Sequence, residues 1–354
     1  MRVGLFLYIT KFYGGAERRL VRIFNELGQE EVEVDLILYG EQDNISRFVS
    51  NELDQININI HHTNSKKEVF LRIFKSKYDW ICHFDSNILL LLVLISALLA
   101  RTKRLMVVAY YKYAYLDFPT KFEKYLFYFF GRTAQHIDCL YPSGELKLKN
   151  YLNHRNVSTT PCSFTNLDKF KPLTKKNLIV FASRLVKDKN PEILVDVAIR
   201  LKEFLRSNNF KIVICGDGNL FSALERRITQ NNISDVVILN GFVDMSTILP
   251  HSKIFLSLQT IENYPSQSLL EAISCGNFIV ATNKGDTSLI VKSNFGLLVE
   301  LEVISISEGI IKGVSEVLSN GKTIINDSRS FAESNFLMKN SVDYFKEILN
   351  NDEH

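Results

Sequence analysis

Residues Lys253 to Thr282, KIFLSLQTIENYPSQSLLEAISCGNFIVAT, admit few folds. An apolar strand (Ile254 to Leu258) runs through a polar loop into a short helix, then into a second apolar strand (Phe278 to Ala281). Pro265 suits the first helical position and Gly276 the C-terminal cap, so the helix is bracketed from both ends. A strand–helix–strand unit of this length belongs to a parallel sheet, and ligands of such sheets sit where strand ends meet helix starts. Two carboxylates mark this one: Glu262 on the loop, and Glu271 about two turns into the helix. Helical side chains tilt toward the N-terminus, so Glu271 leans back toward the place Glu262 borders. The helix start offers backbone N–H groups and partial positive charge that suit a phosphate. Carboxylates beside a phosphate would repel it on contact; they make better sense as acceptors for sugar or ribose hydroxyls. The stretch therefore points to a bound nucleotide sugar.

The rest of the chain has room for two such sheets. At 354 residues it exceeds one ordinary core. Its 46% apolar and 23% charged residues make an ordinary globular mix. The formal charge is +3, with 22 Lys/Arg against 18 Asp/Glu in the first 170 residues and 20 against 21 in the remainder. That excess is too small to argue for nucleic acid as a partner. Five cysteines (82, 139, 162, 215 and 275) lie far apart with no CxxC pair, the pattern of buried thiols in a reducing compartment. MRVGLFLYIT enters directly into a strand pattern without a signal-peptide profile, so a cytoplasmic location is expected.

Ile88 to Ala100 (ILLLLVLISALLA) is an unbroken apolar or small run of 13 residues. It is short of the ~20 needed to span a bilayer and fits a buried or interfacial helix. Arg101 to Arg132 follows with seven basic residues, two acidic residues and, from Tyr110 on, eleven Tyr or Phe. Two readings stand: a core helix followed by an aromatic packed region, or a surface spanning 88–132 that makes peripheral contact with an anionic membrane.

Strand and helix patterns alternate along the whole chain. Strands are predicted at Val3–Ile9, Val34–Tyr39, Ile56–His61, Asp79–Phe84, Leu105–Tyr110 and Ile137–Tyr141, with a helix opening at Gly14-Gly15-Ala16-Glu17. Turn residues interrupt the pattern around Pro161–Pro172, and a second alternation begins at Asn177 with strands at 177–182, 211–215, 236–239, 254–258 and 278–281. This predicts an α/β chain of two Rossmann-like, doubly wound domains facing each other across a cleft. The expected division is 1–170, 171–335, and a C-terminal helix at 336–354 that returns toward the first domain.

Further junctions carry candidate chemistry. In FASRLVKDKNPEIL a strand leads to Arg184 and, five residues on, Lys189, just before a helix at Pro191. Arg offers a planar fork and Lys a point charge, and the two together make a diphosphate clamp; the bland alternative is a solvated loop of mixed charge. Gly216, in CGDGN, stands where backbone could approach a ligand, although GDG alone is a weak turn signal. In the first half, Gly14 and Gly15 could face a phosphate or an acceptor, and His83 lies toward the end of its strand, though a lone His is more often structural. His61 and His62 point to opposite sides of a strand, and no HxH, HExxH or DxD cluster occurs, so no metal is expected.

Taken together these junctions resemble the family 4 glycosyltransferases, retaining enzymes of the GT-B fold. The matching pieces fall in the family's order: GGAE, SRL-x3-K, VICGDG, LNGFV, ENYPSQSLLEA and ATNKGDTSLI. The resemblance implies that Arg184 and Lys189 hold the donor diphosphate and that Glu271 binds the ribose. It places Glu262 near the sugar ring, backbone of Gly241, Phe242 and Val243 at the base, and Ser266, Gln267 and Ser268 on the donor. Gly14, Gly15 and His83 fall on the acceptor and phosphate side. The chain departs from the family twice. Eight residues rather than seven separate its two glutamates, displacing Glu262, and VVAYYKY, with Tyr110 and Tyr111, stands where the family often has a His. The implied reaction is sugar transfer from a nucleoside-diphosphate sugar, expected to be UDP-linked, to a glycan or polyprenyl-diphosphate-linked acceptor in bacterial surface polysaccharide synthesis. No cofactor or metal is expected. A nucleotide-sugar epimerase of the same fold and a catalytically idle binding subunit are the alternatives; a Rossmann dehydrogenase lacks its GxGxxG after the first strand.

Overall fold

A computed structural model describes residues 1–10, 15–29, 32–52, 58–84, 89–262 and 264–351, with the side chains at 47, 50–52 and 188 outside that description. The chain forms two units, Met1–Cys162 with Met338–His354, and Ser163–Leu337.

The first unit holds strands β1 (Arg2–Ile9), β2 (Glu33–Gly40), β3 (Asn59–Thr63), β4 (Trp80–Phe84), β5 (Lys103–Val108), β6 (His136–Cys139) and β7 (Val157–Thr159). Its helices are α1 (Gly15–Gly28), α2 (Gln42–Glu52), α3 (Lys66–Ser76), α4 (Leu90–Ala100), α5 (Tyr111–Ala114), α6 (Lys121–Thr133) and α7 (Pro142–Leu152). The strands pair in parallel in the order β3-β2-β1-β4-β5-β6-β7. Parallel sheets are covered on both faces, so their strands carry near-continuous apolar runs: GLFLYI in β1 and RLMVV in β5 are of this kind, the latter wholly buried.

The second unit holds β8 (Leu178–Ala182), β9 (Lys211–Cys215), β10 (Val237–Leu239), β11 (Ile254–Ser257), β12 (Phe278–Thr282) and β13 (Gly296–Val299). Between and after them lie α8 (Ile193–Ser207), α9 (Phe221–Gln230), α10 (Gln267–Ser274), α11 (Val303–Ser319) and α12 (Gly321–Asn335). The last helix, α13 (Met338–Asn350), belongs to the first unit. There Phe345 meets Phe24 of α1 edge-on at 5.6 Å, and the Leu349 carbonyl accepts from Trp80 Nε1 at 3.0 Å. The second sheet is also parallel, in the order β10-β9-β8-β11-β12-β13. Both sheets thus reverse direction beside their first strand, at β1/β4 and at β8/β11, which opens a crevice at the carboxyl ends of those strands.

The paired strands include two short ones, β7 and β13, which the sequence pattern does not reveal. The helix of the opening stretch is also shorter than its brackets suggest. Ser266 is extended (φ −67°, ψ 121°), so helical geometry begins only at Gln267. The other end is as expected: Gly276 takes φ +76°, its N–H reaches the Ile273 carbonyl, and Asn277 N–H reaches that of Ala272, closing the helix in a Schellman motif.

Candidate functional site

In the second unit the residues singled out from sequence lie along one edge, the carboxyl ends of β8 to β12. Ala182 ends β8, and its carbonyl accepts from Ser268 Oγ at 3.4 Å, which sets the first turn of α10 against the switch-point strand. Ser266 makes no side-chain cap bond to that helix; its hydroxyl meets that of Ser268 at 3.3 Å. Inside the helix Glu271 Oε1 accepts from Gln267 Nε2 at 3.2 Å, so the carboxylate is turned back toward the helix start.

The two cations stand on the loop after β8. Arg184 is exposed; Lys189 is half-buried and closes a short 3-10 turn, Lys187–Lys189. Lys189 Nζ donates to Gln259 Oε1 at 2.8 Å, linking this loop to the one after β11. Gln259 is itself pinned: its N–H donates to Thr282 Oγ1 at 2.8 Å and its carbonyl accepts from the same hydroxyl at 2.9 Å. Gln259 and Thr282, which place the ammonium, escape a motif search. The signal that could find them is register, since Ser257 pairs with Ala281, Thr282 follows Ala281 at once and Gln259 lies two residues beyond Ser257.

Glu262 occupies a different position from Glu271. Its Oε1 accepts from Tyr264 N–H at 3.0 Å and its Oε2 from Asp286 N–H at 2.8 Å. The carboxylate thus spans from its own loop to the turn after β12, Gly285–Leu289. Gly285 makes this approach possible: a Cβ there would lie 1.3 Å from Glu262 Oε2, and the residue has φ +52°. A charged acceptor shared by two backbone donors is a strong hydrogen-bonding arrangement, and it makes Glu262 a brace between two strand-end loops. At the far side of the sheet Gly216 N–H donates to the Gly241 carbonyl at 2.6 Å, joining the ends of β9 and β10. Phe242 follows with 88% of its surface exposed, and Val243 is half-buried.

The first unit treats its candidates differently. Gly15 is exposed at the start of α1, with open space where a Cβ would be; Gly14 lies outside the described residues. His83 corrects the sequence reading. It lies within β4 at 1% exposure, Nδ1 is 2.6 Å from the Phe84 carbonyl, and Nε2 is buried without a hydrogen-bond partner. Burial first, and then the Arg104 guanidinium, push its pKa down to about 3, so the imidazole is neutral near pH 7. Tyr110, 45% exposed just beyond β5, donates to Glu17 Oε1 at 3.0 Å in the first turn of α1. Among the described residues no group of three or more His, Cys, Asp or Glu could hold a metal ion.

Known proteins resemble this chain in both sequence and fold. Residues 164–352 match the family described as glycosyl transferases group 1. A Campylobacter jejuni protein named GalNAc-alpha-(1->4)-GalNAc-alpha-(1->3)-diNAcBac-PP-undecaprenol alpha-1,4-N-acetyl-D-galactosaminyltransferase is 26% identical over 309 residues, 83% of each chain. The 2-deoxystreptamine N-acetyl-D-glucosaminyltransferase of Niallia circulans is 30% identical over 139 residues, which span 38% of this chain and 34% of that protein. Among solved structures, Anabaena Alr3699/HepE in complex with UDP superposes with a TM-score of 0.80 over 99% of both chains at 16% identity.

Proposed function

The chain belongs to the glycosyl transferases group 1 family, and we propose that it moves a sugar, with retention of configuration, from a UDP-sugar to a hydroxyl of a lipid-linked glycan. The observation that carries this reading is the crowding of Arg184, the braced Lys189, the α10 start and Glu271 along one strand-end edge of the second unit. Cations and helix amides suit a diphosphate, and a carboxylate turned toward them suits the ribose hydroxyls. The undecaprenol-linked acceptor in the Campylobacter relative's name supports a lipid-linked acceptor here. The UDP in the Anabaena structure supports a uridine donor.

In this mechanism the bond from the anomeric carbon to the diphosphate breaks, and negative charge gathers on the departing phosphate. Arg184, Lys189 and the first-turn amides of α10 stabilise that charge as it develops, the role a metal plays in other transferases. The acceptor hydroxyl approaches the anomeric carbon from the face the diphosphate leaves. Its proton passes to the departing phosphate oxygen as the new glycosidic bond forms. Glu271 fixes the ribose, and Glu262 holds the Gly285–Leu289 turn where the sugar sits. A two-carboxylate glycosidase scheme does not apply, because neither carboxylate is arranged as acid and nucleophile. The lipid-linked acceptor puts the work at the inner surface of a membrane.

The test is a transfer assay with UDP-, GDP- and ADP-sugars against undecaprenyl-diphosphate glycans, with the anomer of the product read by NMR. Transfer from a UDP-sugar with retention is expected. Conversion of the nucleotide sugar into another without acceptor would replace this reading with an epimerase, and binding without turnover across the panel would replace it with a binding subunit.

A further inference from the structure

The first unit carries an aromatic and basic surface that its own packing does not require. Helix α6 has two apolar sides. Its inner side is complete: Phe127 and Phe130 are fully buried, Phe127 stacks on Tyr113 at 5.4 Å, and Gly131 lies against Leu152. Its outer side nevertheless exposes Phe122 (58%), Tyr125 (71%), Tyr128 and Phe129 on successive turns. Lys121 and Lys124 are exposed among them, as is Arg132, whose Nη1 also donates to the Leu152 and Asn153 carbonyls at 3.0 and 2.7 Å, and Glu123 is the helix's one acidic residue. The neighbouring helix continues the pattern. Strands β4, β5 and β6 are adjacent and parallel, and right-handed crossovers place α4 and α6 on the same face of the sheet. On α4, Leu98 and Leu99 are 58% and 60% exposed, followed by exposed Arg101.

Water-facing helices ordinarily turn polar residues outward, and contiguous exposed apolar side chains mark an interaction surface. The composition selects the occupant. Tyr and Phe rings interleaved with Lys and Arg suit the headgroup layer, where rings enter the acyl boundary and cations meet lipid phosphates. Among the described residues no helix is long and apolar enough to cross a membrane; the 11 residues of α4 span only about half a bilayer core. We propose that the α4–α6 face of the first unit docks on an anionic bilayer, with Phe122, Tyr125 and Phe129 entering the interface and Lys121, Lys124 and Arg132 pairing with lipid phosphates. This surface gains its purpose from the lipid-linked acceptor proposed above, but it is tested without any acceptor.

The experiment is sedimentation of the full chain with sucrose-loaded vesicles of phosphatidylcholine, alone or mixed with phosphatidylglycerol, at low and high salt. Binding to the anionic vesicles at low salt, weakened by salt, is expected. Replacing Lys121, Lys124 and Arg132 together by Gln should lower the partition coefficient on the order of 100-fold, since each surface cation contributes roughly 5-fold. Tyr125→Ser with Phe129→Ser should abolish binding, and unchanged thermal unfolding of both variants shows that they fold. Wild type that ignores anionic vesicles, or variants that bind like wild type, overturns the proposal. So does a dimer of the wild type that both variants dissolve, which would make the face a protein interface. Transfer to a short-chain, water-soluble acceptor should be unchanged in both variants. Failure of that reaction in the wild type would count against the proposed chemistry and leave the docking surface standing.

Discussion

The two units share a strand order, 3-2-1-4-5-6 with one strand added in the first, yet they place their ionisable residues in opposite ways. In the second unit the candidate cations and carboxylates stand beyond the strand ends, on loops or in α10, and meet polar partners there: Lys189 meets Gln259, Glu271 meets Gln267, and Glu262 meets two backbone amides. In the first unit they lie inside. Arg104 and Asp138 are, like His83, almost inaccessible, and Asp138 binds the Tyr344 hydroxyl of α13 at 2.8 Å. The same sheet therefore serves, in one case, as a platform for loops that carry the proposed ligand contacts. In the other its polar groups tie strands to a returning helix, while the outer helices carry the unpaired apolar surface. Charge at a strand tip is available for chemistry; charge within the sheet is a structural commitment.

Four experiments would break or sharpen that contrast. The largest effect is expected at the strand tips. Arg184→Ala and Lys189→Ala should each reduce kcat about 10²- to 10³-fold with little change in Tm, because the lost charge acts on the departing diphosphate. Equal activity in both variants would remove the contrast at its root. Next, Gly285→Ala should lower stability by about 1–3 kcal/mol and impair turnover together, since the new Cβ displaces the Glu262 carboxylate and strains a residue at φ +52°. If Gly285→Ala is as stable and active as wild type, Glu262 is no brace. In the first unit Tyr344→Phe should cost about 1–3 kcal/mol in denaturant unfolding, by removing a hydroxyl donor from the buried Asp138 carboxylate, and leave the KM for the nucleotide sugar unchanged.

The smallest effect is expected in the acid dependence of stability. Burial pushes the Asp138 carboxyl up to about 6, against the opposing pull of Arg19, the Tyr344 hydroxyl and the Thr160 amide. Its folded form binds a proton more readily than its unfolded form, so this group adds stability as pH falls from about 6 toward 4. His83, held near 3, does the reverse: the unfolded chain takes up its proton first, and stability is lost as pH falls below 6.5. The slopes oppose one another between pH 4 and 6. His83→Leu should therefore expose a rise in stability on acidification over that window, measured by urea unfolding at a series of pH values; a variant that tracks wild type would show that His83 is not buried neutral.

Much of this architecture was legible in one dimension. Apolar runs of four to eight residues separated by helical patterns identify parallel strands, because a strand covered on both faces leaves no polar side to show. The residues of the second unit's edge were legible too, since a strand–loop–helix junction is read from consecutive residues: Arg184 and Lys189 after β8, Ser266 just before α10, and Gln267, Ser268 and Glu271 within it. Two short edge strands, β7 (VST) and β13 (GLLV), were not: the first holds a single apolar residue and the second opens on a glycine that reads as a turn. Nor was the start of α10, where the extended Ser266 delays the helix past Pro265.

By itself, then, the chain's sequence determined its fold class, its two alternations and the chemistry available at each junction, all of which depend on neighbours in sequence. Tertiary structure alone decided what each group is bonded to. It buried His83, although its place toward a strand end suggests access, and it paired Lys189 with Gln259 seventy residues away. It also set Glu262 against Gly285, a contact between loops that only the adjacency of β11 and β12 brings together. The physical reason is that local pattern reports which face a residue prefers, whereas partner, burial and protonation depend on strands and helices distant in the chain. For α6 the two levels disagree: the sequence alone allows Phe122, Tyr125 and Phe129 to be core, and the folded first unit leaves them facing outward.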